Sequence, residues 1–428
     1  MNEATPAGLP TASDAAGSRH VVVVYTDAGG GHRATAEALR DILCATGGYR
    51  VTLVNAYQEV LSDLDLFARF TSRTVEATYN DLILRRGRTG LFCLGFYAGA
   101  VLNVALLGNR GRQAFADLWE RLEPDLVVSV LPVINHLIAD SLAGYRKGGV
   151  PFAVLMTDWA ELNRHVWFPK GDRYYAIAGT DVCHDQLVRK RHPADRLFPM
   201  SGLLTRPVFL EAKPADIPAA RRALGLDPDL PVVCMLYGGY GSWRMLEMAE
   251  ALRDSPPRAQ VVFLCGRNDA LASAVAAARL PFPTVVKGFT REVHRYMAVA
   301  DVFVGKTGPL SVSEALAFGL PLLIDRANVL PQEHAVLKWI KRNGAGDVFS
   351  TPKQFAETLA SLLSGSAHHR DNTSDMPLRN SAARQIPEII AEILRRGPAG
   401  AAPALRRATA EEPSFPMAYP SAGERPNG

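Results

Sequence analysis

The sequence has little cysteine, and its five cysteines form no recognisable pattern. They are scattered, odd in number, and include neither a CxxC pair nor a histidine at the spacing of a zinc site. The sequence therefore predicts a reducing cytoplasm and no structural zinc.

Long runs of one charge and a leader-like start are also missing. The formal net charge is +4 over 428 residues, and no extended lysine and arginine run marks a nucleic-acid footprint. The first twenty residues include Glu3 and Asp14 and lack a basic start followed by an apolar core, which argues against a signal peptide. We therefore expect no nucleic-acid partner, and domains that face the cytosol.

The sequence does have the apolar content of folded domains. Hydrophobic residues make up 48% and charged residues 21%, close to the globular average, so most of the chain can offset its ordering entropy. A chain of this length suits two domains of roughly 150 to 200 residues each, plus tails.

Short apolar, β-branched runs alternate with helical patterns, which is typical of parallel sheets wrapped by helices. Buried strands in the first half are predicted at 20–25, 51–54, 125–131, 151–156 and 174–178. A second series follows a proline- and charge-rich connection, at 232–237, 260–265, 284–287, 301–304 and 320–324. The predicted fold class is α/β, with two Rossmann-like, doubly wound domains that face each other across a cleft.

The restart of the pattern places the domain boundary, because a linker should be polar, rich in proline and poor in long-range contacts. The C-terminal helix is predicted to return and brace the first domain, while both chain ends have the composition of disordered segments. The predicted segments are a leader over 1–18, an N-terminal domain over 19–207, a linker over 208–230, a C-terminal domain over 231–365, a polar connection over 366–380, a helix over 381–396 and a tail over 397–428.

A glycine-rich loop joins the first strand to the first helix. Gly29, Gly30 and Gly31 follow the strand, and His32 comes where the helix begins. Ligands of open α/β sheets bind at the carboxyl ends of strands, and glycine lets the backbone approach them closely. An imidazole there can take the proton from an acceptor hydroxyl. In the alternative interpretation, His32 only caps the helix and the glycines form only a tight turn.

A second glycine-rich turn, from Gly238 to Ser242, follows the strand at 232–237 and predicts a phosphate-sized nest of backbone N–H groups. A further strand, 301–304, leads into GKTGPLSVSEALAFGLP. There Lys306 and the helix start can neutralise a diphosphate, and Glu314 can accept two hydrogen bonds from a ribose diol. Alternatively, Glu314 is only a favourable charge near the start of the helix.

The strand at 320–324 leads into PQEH, where Gln332 and Glu333 can bind sugar hydroxyls. The alternative is a solvated helix start.

In this order, the motifs resemble the family of monogalactosyldiacylglycerol synthases and processive diacylglycerol glucosyltransferases, which is more distantly related to the N-acetylglucosaminyltransferase that makes lipid II. The resemblance covers most of residues 20–350. It rests on TDAGGGHRATAEAL (26–39), VLMTDWAELNRHVWF (154–168), GLLTRPVF (202–209), CGRN (265–268), KGF (287–289), GKTGPLSVSEALAFGLP (305–321) and PQEH (331–334).

The resemblance implies a GT-B fold and an inverting transfer of glucose or galactose from a UDP-sugar to a lipid acceptor such as diacylglycerol, with no cofactor and no essential metal. It implies that His32 belongs to the base region, with Asp27 as its partner or substitute, and that Gly29 to Gly31 form an acceptor-side loop. The donor-binding positions implied are Gly238, Gly239, Gly241, Ser242, Arg267, Asn268, Phe289, Lys306, Thr307, Gly308, Pro309, Ser311, Glu314, Gln332 and Glu333.

Two places depart from the pattern of the plant-type synthases. This chain has Leu131-Pro132 and then Asn135-His136 where those carry a His-Pro pair, and Tyr240 stands in the glycine nest in place of a smaller residue. Both departures leave the identity of the acceptor open.

One segment, 89–109, contains no charged residue or histidine and is flanked by arginines at 85, 86, 88, 110 and 112. Its length permits a membrane span. However, Gly95, Gly99, Asn103 and Gly108 interrupt it, and a span would divide the first sheet between two sides of a bilayer. We expect either a buried core helix or a segment that covers the acceptor or contacts an anionic membrane through 85–112, which places the protein peripherally on the inner membrane face.

Two other functions remain open at this point. A UDP-sugar epimerase on the same fold needs no lipid acceptor. A catalytically silent UDP-sugar-binding protein at the membrane needs no base, and His32 beside a complete donor constellation argues against it.

Overall fold

The computed structural model describes residues 17–64, 76, 91–161, 165–211, 213–327, 329–364 and 380–399. Two parallel six-stranded sheets dominate these residues, one in each half of the chain. The predicted leader up to residue 16, most of the connection 366–380 and the tail from residue 400 lie outside the described residues.

The first sheet has the strand order β2-β1-β3-β4-β5-β6. Val21 and Val23 of its first strand pack into one buried cluster, whereas Val22 and Val24 pack into another. This alternation arises because successive strand residues point to opposite faces, and both faces are covered by helices. The strands are β1 (Arg19–Tyr25), β2 (Tyr49–Asn55), β3 (Leu126–Ser129), β4 (Phe152–Leu155), β5 (Tyr175–Ala178) and β6 (Leu197–Pro199).

The second sheet has the order β12-β11-β10-β7-β8-β9 and is covered on both faces in the same way. Its central strand therefore reads as a continuous apolar run, VVCML, all of it buried. The strands are β7 (Val232–Leu236), β8 (Gln260–Leu264), β9 (Thr284–Lys287), β10 (Val302–Lys306), β11 (Leu322–Asp325) and β12 (Gly346–Phe349).

Helices connect most pairs of successive strands and run over both faces of the sheets. The described helices are α1 (Gly31–Thr46), α2 (Leu91–Leu122), α3 (Asn135–Gly144), α4 (Asp181–Arg189), α5 (Ile217–Ala223), α6 (Arg244–Ala251), α7 (Asp269–Ala277), α8 (Val293–Ala298), α9 (Pro309–Ala317), α10 (His334–Asn343), α11 (Pro352–Ser364) and α12 (Ala382–Arg396).

The last helix, α12, packs on the first sheet although it follows the second domain in the chain. Ile386, Ile389, Ile390 and Ile393 are fully buried at the i, i+3, i+4, i+7 spacing of one helix face. The carbonyl of Gly397 then accepts a hydrogen bond from the Tyr175 hydroxyl at 2.9 Å. Residues 397–399, which the sequence assigned to the tail, therefore belong to the fold of the first domain.

Part of the predicted linker 208–230 is ordered against the second domain. It includes α5, whose Arg221 donates from Nη2 to Asp301 Oδ2 at 2.6 Å. The same oxygen accepts from the backbone N–H of Val232 at 2.7 Å, at the start of β7. A buried ion pair with this second hydrogen bond ties α5 to the central strands of the second sheet.

Residues 91–109 of the apolar segment form the first part of α2, which is kinked at Gly108 (φ 44°, ψ −125°). Val104 and Leu107 pack into the core of the first domain, whereas Leu106 is 62% exposed. Within the described part of the chain, no helix combines the length and apolar character that crossing a bilayer requires. The arginines at 85, 86 and 88 lie outside the described residues.

Candidate functional site

A cleft of about 780 Å³ lies where the two domains face each other. The loops that follow β1, β4, β7, β8 and β10 all line it. In parallel α/β sheets this is the expected place for a ligand, because the carboxyl ends of the strands and the first turns of the following helices meet there. The structure brings both predicted catalytic residues and most of the predicted donor-binding residues to this one cleft.

His32 lies in the first turn of α1 and lines the cleft. Its Nδ1 lies 2.8 Å from the carbonyl oxygen of Val130 and 2.9 Å from the hydroxyl oxygen of Thr157. A carbonyl only accepts, so Nδ1 must carry the proton and Nε2 keeps its lone pair. Burial lowers the pKa of His32 to about 4, although the hydrogen bond to Val130 acts in the opposite direction. The ring is therefore a neutral proton acceptor at pH 7.

Gly30 allows the sharp turn that places His32 at the cleft. It is the N-cap of α1 and adopts φ 83°, a left-handed conformation that glycine reaches without steric cost. The chain can therefore turn sharply from β1 into α1, and the first turn of the helix faces the cleft.

Asp27 also lines the cleft. The groups that contact Nδ1 of His32 are a carbonyl and a hydroxyl, not a carboxylate. Asp27 Oδ2 pairs with Arg33 Nη1 at 3.2 Å. Its backbone N–H donates to Glu76 Oε1 at 2.7 Å, and the same oxygen accepts from the Thr26 hydroxyl at 2.5 Å. Glu76, which sequence reasoning did not single out, thus fixes the loop that leads into α1.

Asp158 and Trp167 form a second unpredicted group in the cleft, on the loop that follows β4. The indole Nε1–H of Trp167 donates to Asp158 Oδ2 at 2.9 Å, and the indole ring lies 5.8 Å from the imidazole of His32. Both residues stand in the segment VLMTDWAELNRHVWF, and Asp158 comes just after a buried strand. A polar residue at the carboxyl end of a strand was the signal that should have identified it.

An arginine in the loop after β8 lies close to two aromatic rings, one of which belongs to the glycine nest after β7. The Arg267 guanidinium lies 4.6 Å from the ring centre of Phe289 and 5.8 Å from that of Tyr240. Gly238, Gly239 and these three side chains line the cleft. The planar cation and the aromatic faces form a surface on which a nucleobase can stack.

Lys306 ends β10, and its ammonium lies 3.5 Å from Glu333 Oε1. The other oxygen of Glu333 accepts from the Thr307 hydroxyl at 2.6 Å and from the Leu330 N–H at 3.1 Å. Glu333 is almost fully buried, and these contacts indicate that it positions Lys306. Gln332, beside it, lines the cleft.

The helix α9 points its first turn at the cleft, where Gly308, Pro309 and Ser311 line the wall. Proline suits this position because the first helical N–H has no partner within the helix. The free N–H groups of the turn and the helix dipole favour an anion there. Ser311 itself donates to the Gly308 carbonyl at 3.1 Å, and so closes the turn.

Glu314 lies one turn further along α9 and is buried at the cleft wall. Burial raises its pKa to about 8, and the positive charge of Arg206 lowers the pKa in part. Desolvation favours the neutral carboxyl group, whereas hydrogen bonds donated by a ligand would favour the carboxylate.

Four predicted donor-binding residues do not line the cleft. Gly241 adopts φ 61°, and a Cβ there would overlap the carbonyl oxygen of Cys265, so its role is to let two loops pack. Ser242 Oγ accepts from the Arg244 N–H at 3.3 Å, and Asn268 Oδ1 accepts from the Leu271 N–H at 3.1 Å, so each stabilises the start of a helix. Thr307 is buried against Glu333.

Asn135 and His136, where the sequence departs from the plant-type synthases, have different roles in the structure. Asn135 is buried and donates to the carbonyl oxygens of Leu131 and Trp167, at 2.9 and 2.7 Å. His136 is exposed, and its Nδ1 lies 3.1 Å from the Val133 carbonyl. Asn135 therefore positions Trp167, whereas His136 lies outside the cleft lining.

In the described ranges, no three His, Cys, Asp or Glu side chains cluster closely enough to hold a metal ion.

The chain matches no protein-family model. It is 30% identical over 371 residues to the probable monogalactosyldiacylglycerol synthase 2, chloroplastic, of Oryza sativa subsp. japonica, an alignment that covers 82% of this chain and 75% of the relative. Among solved structures, it is similar to Acinetobacter baumannii MurG, with a TM-score of 0.56 and 14% identity over 88% of this chain and 99% of that one. It is also similar to the UDP-GlcNAc 2-epimerase of Neisseria meningitidis, with a TM-score of 0.55 and 12% identity over 87% of this chain and 100% of that one.

These likenesses identify the fold as GT-B, as the resemblance implied. At such low identity the solved structures show the fold alone, and one of them is an epimerase.

Proposed function

The chain belongs to the monogalactosyldiacylglycerol synthase family of hexosyltransferases, and from that premise we propose that it transfers a hexose from a UDP-hexose to the hydroxyl of diacylglycerol or a related lipid. The observation that carries the proposal is that one cleft contains a neutral imidazole and, opposite it, an anion site formed by a lysine and the N-terminus of a helix. His32 stands on the first domain, and Lys306 with the first turn of α9 stands on the second.

The proposed reaction is one in-line displacement at the anomeric carbon. The lipid hydroxyl oxygen forms the new bond to that carbon while the bond to the diphosphate oxygen breaks, which inverts the configuration. The hydroxyl proton passes to Nε2 of His32, and the electron pair of the broken bond leaves with UDP. Lys306 and the N–H groups of α9 stabilise the charge that develops on the diphosphate.

Three groups of residues on the donor side are proposed to bind the base, the ribose and the diphosphate of UDP. Arg267 with Tyr240 and Phe289 offers a stacking surface for the base. Glu314 accepts from the two ribose hydroxyls. Gly238, Lys306 and the first turn of α9 hold the diphosphate. UDP-galactose is the first donor to test, because the rice relative is named as a galactosyl lipid synthase.

Binding of UDP is expected to release most of a proton from Glu314 at pH 7. The pKa of Glu314 is raised to about 8 by burial in the cleft wall, whereas two hydrogen bonds from ribose favour the carboxylate and lower the pKa in the complex. Affinity should therefore rise with pH up to about 8 and then level off. Calorimetry of UDP binding in buffers of different ionisation enthalpy measures the proton count. The same count in wild type and Glu314→Gln would contradict this role.

The lipid acceptor is proposed to be reached at an anionic membrane surface beside the first part of α2. Leu106 is exposed there, and Arg110 and Arg112 are also exposed. Such a surface combines apolar contact with attraction to anionic headgroups. It supports a peripheral position on the inner membrane face.

Sedimentation with vesicles tests this surface. The protein should bind vesicles that contain anionic lipid and not neutral ones. Arg110→Gln with Arg112→Gln should weaken binding about 30-fold, from about 1 kcal/mol per basic residue. Lys338→Gln with Lys353→Gln removes the same charge from α10 and α11 and should have little effect. Equal binding to both kinds of vesicle, or equal losses in the two double variants, would rule the surface out.

A product panel tests the function as a whole. Purified protein is incubated with several UDP-hexoses, with and without diacylglycerol, and the products are analysed by mass spectrometry. The proposal predicts a lipid that has gained one hexose. An altered UDP-sugar in the arm without lipid would instead identify an epimerase.

A further inference from the structure

Asp158 joins the two halves of the cleft through its neighbours in the chain. Before it, the Thr157 hydroxyl contacts His32 Nδ1 at 2.9 Å. After it, the Trp159 indole donates to the carbonyl of Pro309, the first residue of α9, at 3.2 Å. Asp158 therefore stands between the residue that orients the base and the residue that touches the anion-binding helix.

Its side chain is held in one orientation. Trp167 donates to Oδ2, and the Trp167 backbone is itself fixed, because its carbonyl accepts from Asn135 at 2.7 Å and its N–H donates to Glu161 Oε1 at 3.2 Å. Glu161 is in turn paired with Lys190. Such a preorganised carboxyl group is typical of a binding site, since little ordering remains to be done when a ligand arrives.

The charges that face Asp158 come from the donor-binding domain. Burial raises the pKa of Asp158 to about 7, although the hydrogen bond from Trp167 lowers it. The negative charge of Glu333 raises this pKa further, and the positive charge of Lys306 lowers it. Lys306 is the proposed contact of the diphosphate. The hexose is bonded to that diphosphate and so must lie close to Lys306, between it and the base His32.

A purely structural acceptor for an indole N–H needs only one oxygen and no charge. Asp158 is only partly buried and lines the cleft, so a ligand can reach its carboxyl group. Oδ2 is taken by Trp167, so Oδ1 is the oxygen left for a ligand. A sugar hydroxyl, which both donates and accepts, suits this carboxyl group in either protonation state.

From these observations we propose that Asp158 binds one hydroxyl group of the transferred hexose, so that the donor sugar is held from the first domain as well as from the second. Asp158 is then a specificity-determining residue of the donor site. This inference rests on the proposed function for the identity of the ligand, and it can be measured by binding, without transfer.

The test is a binding cycle between Asp158 variants and UDP-hexoses that each lack one ring hydroxyl. Asp158→Ala should weaken UDP-hexose binding about 10- to 100-fold, the size expected for a hydrogen bond to a carboxyl group. UDP alone should bind both proteins within about twofold, which also shows that the variant keeps its cleft. Asp158→Asn, which still accepts from Trp167 and hydrogen-bonds a hydroxyl, should lose less than the alanine variant.

One deoxy donor decides the result. For the UDP-deoxyhexose that lacks the bound hydroxyl, Asp158→Ala should cost less than about twofold, while the full loss persists for every other deoxy donor. An equal loss with all deoxy donors, or weakened binding of UDP itself, would show a structural role and overturn the proposal. If wild type binds as expected but transfers no hexose to any lipid, the proposed function fails and the donor contact stands.

Discussion

Replacing His32 with alanine is expected to lower kcat for hexosyl transfer by about 10²- to 10⁴-fold, the usual contribution of a general base. The reason lies in the tautomer. The Val130 carbonyl holds the proton on Nδ1 and leaves Nε2 to accept the hydroxyl proton. Among the described residues, Val130 and Thr157 are the two that contact Nδ1. UDP affinity should stay within about twofold, because His32 belongs to the opposite domain. Steady-state kinetics and UDP calorimetry on the same preparation give both quantities.

The matched control is His136→Ala, since His136 is exposed and lies outside the cleft lining. It should keep wild-type kcat. Added imidazole should restore part of the activity of His32→Ala by occupying the vacated space, and should not help His32→Gln, whose side chain fills it. Full activity of His32→Ala without imidazole would exclude His32 as the base and turn attention to Asp27, the other candidate in the loop.

The Lys306→Met variant should lose about 10²- to 10³-fold in kcat/KM, the effect of removing one preorganised group that stabilises developing charge. The ammonium is held at the cleft by Glu333 Oε1, 3.5 Å away, and its Cε lies near Gly238, where a Cβ would meet it at 3.4 Å. Methionine keeps the length of the side chain and removes its charge. The loss should appear mainly in kcat, because the charge on the leaving diphosphate grows in the transition state.

The variant also leaves Glu333 without its cation, so the double variant Lys306→Met with Glu333→Gln separates the two effects. If loss of the cation is the cause, the double variant stays impaired. Full recovery would show that the repulsion of Glu333 alone was responsible. Lys353→Met, at an exposed site on α11, is the matched control and should match wild type in kcat/KM.

The predicted fold class is confirmed, because buried parallel strands carry a strong signal. The runs at 20–25 and 232–237 are apolar on both faces, and they became the strands β1 and β7 near the centres of the two sheets. β6 and β12 were missed. Both are outermost strands, three and four residues long, and they contain Pro199 and Gly346, which weaken the strand pattern.

The candidate site was predicted where a glycine turn follows a strand. His32, Lys306 and Glu314 reach the cleft because such turns place their side chains at the carboxyl ends of the sheets. Asn268 and Ser242 sit in similar turns, yet they satisfy helix N–H groups instead. Sequence spacing cannot separate these outcomes, since a capping side chain and a ligand-binding side chain prefer the same position.

Other contributors to the site depend on long-range contacts that no local pattern contains. Glu76 bonds Thr26 and Asp27, which lie 50 and 49 residues away in the chain. Thr157 meets His32 across 125 residues. Contacts of this sequence separation arise from the tertiary fold, which a local pattern does not contain.

The central claim is that the chain moves a hexose from UDP to a lipid hydroxyl with inversion. The most direct measurement is the anomeric configuration of the glycolipid formed from UDP-galactose and diacylglycerol, read by NMR from the coupling at the anomeric proton. A single β-linked hexose is expected from the α-linked donor. An α-linked product would contradict the single displacement, and the absence of any glycolipid with every UDP-hexose and lipid tested would contradict the transfer itself.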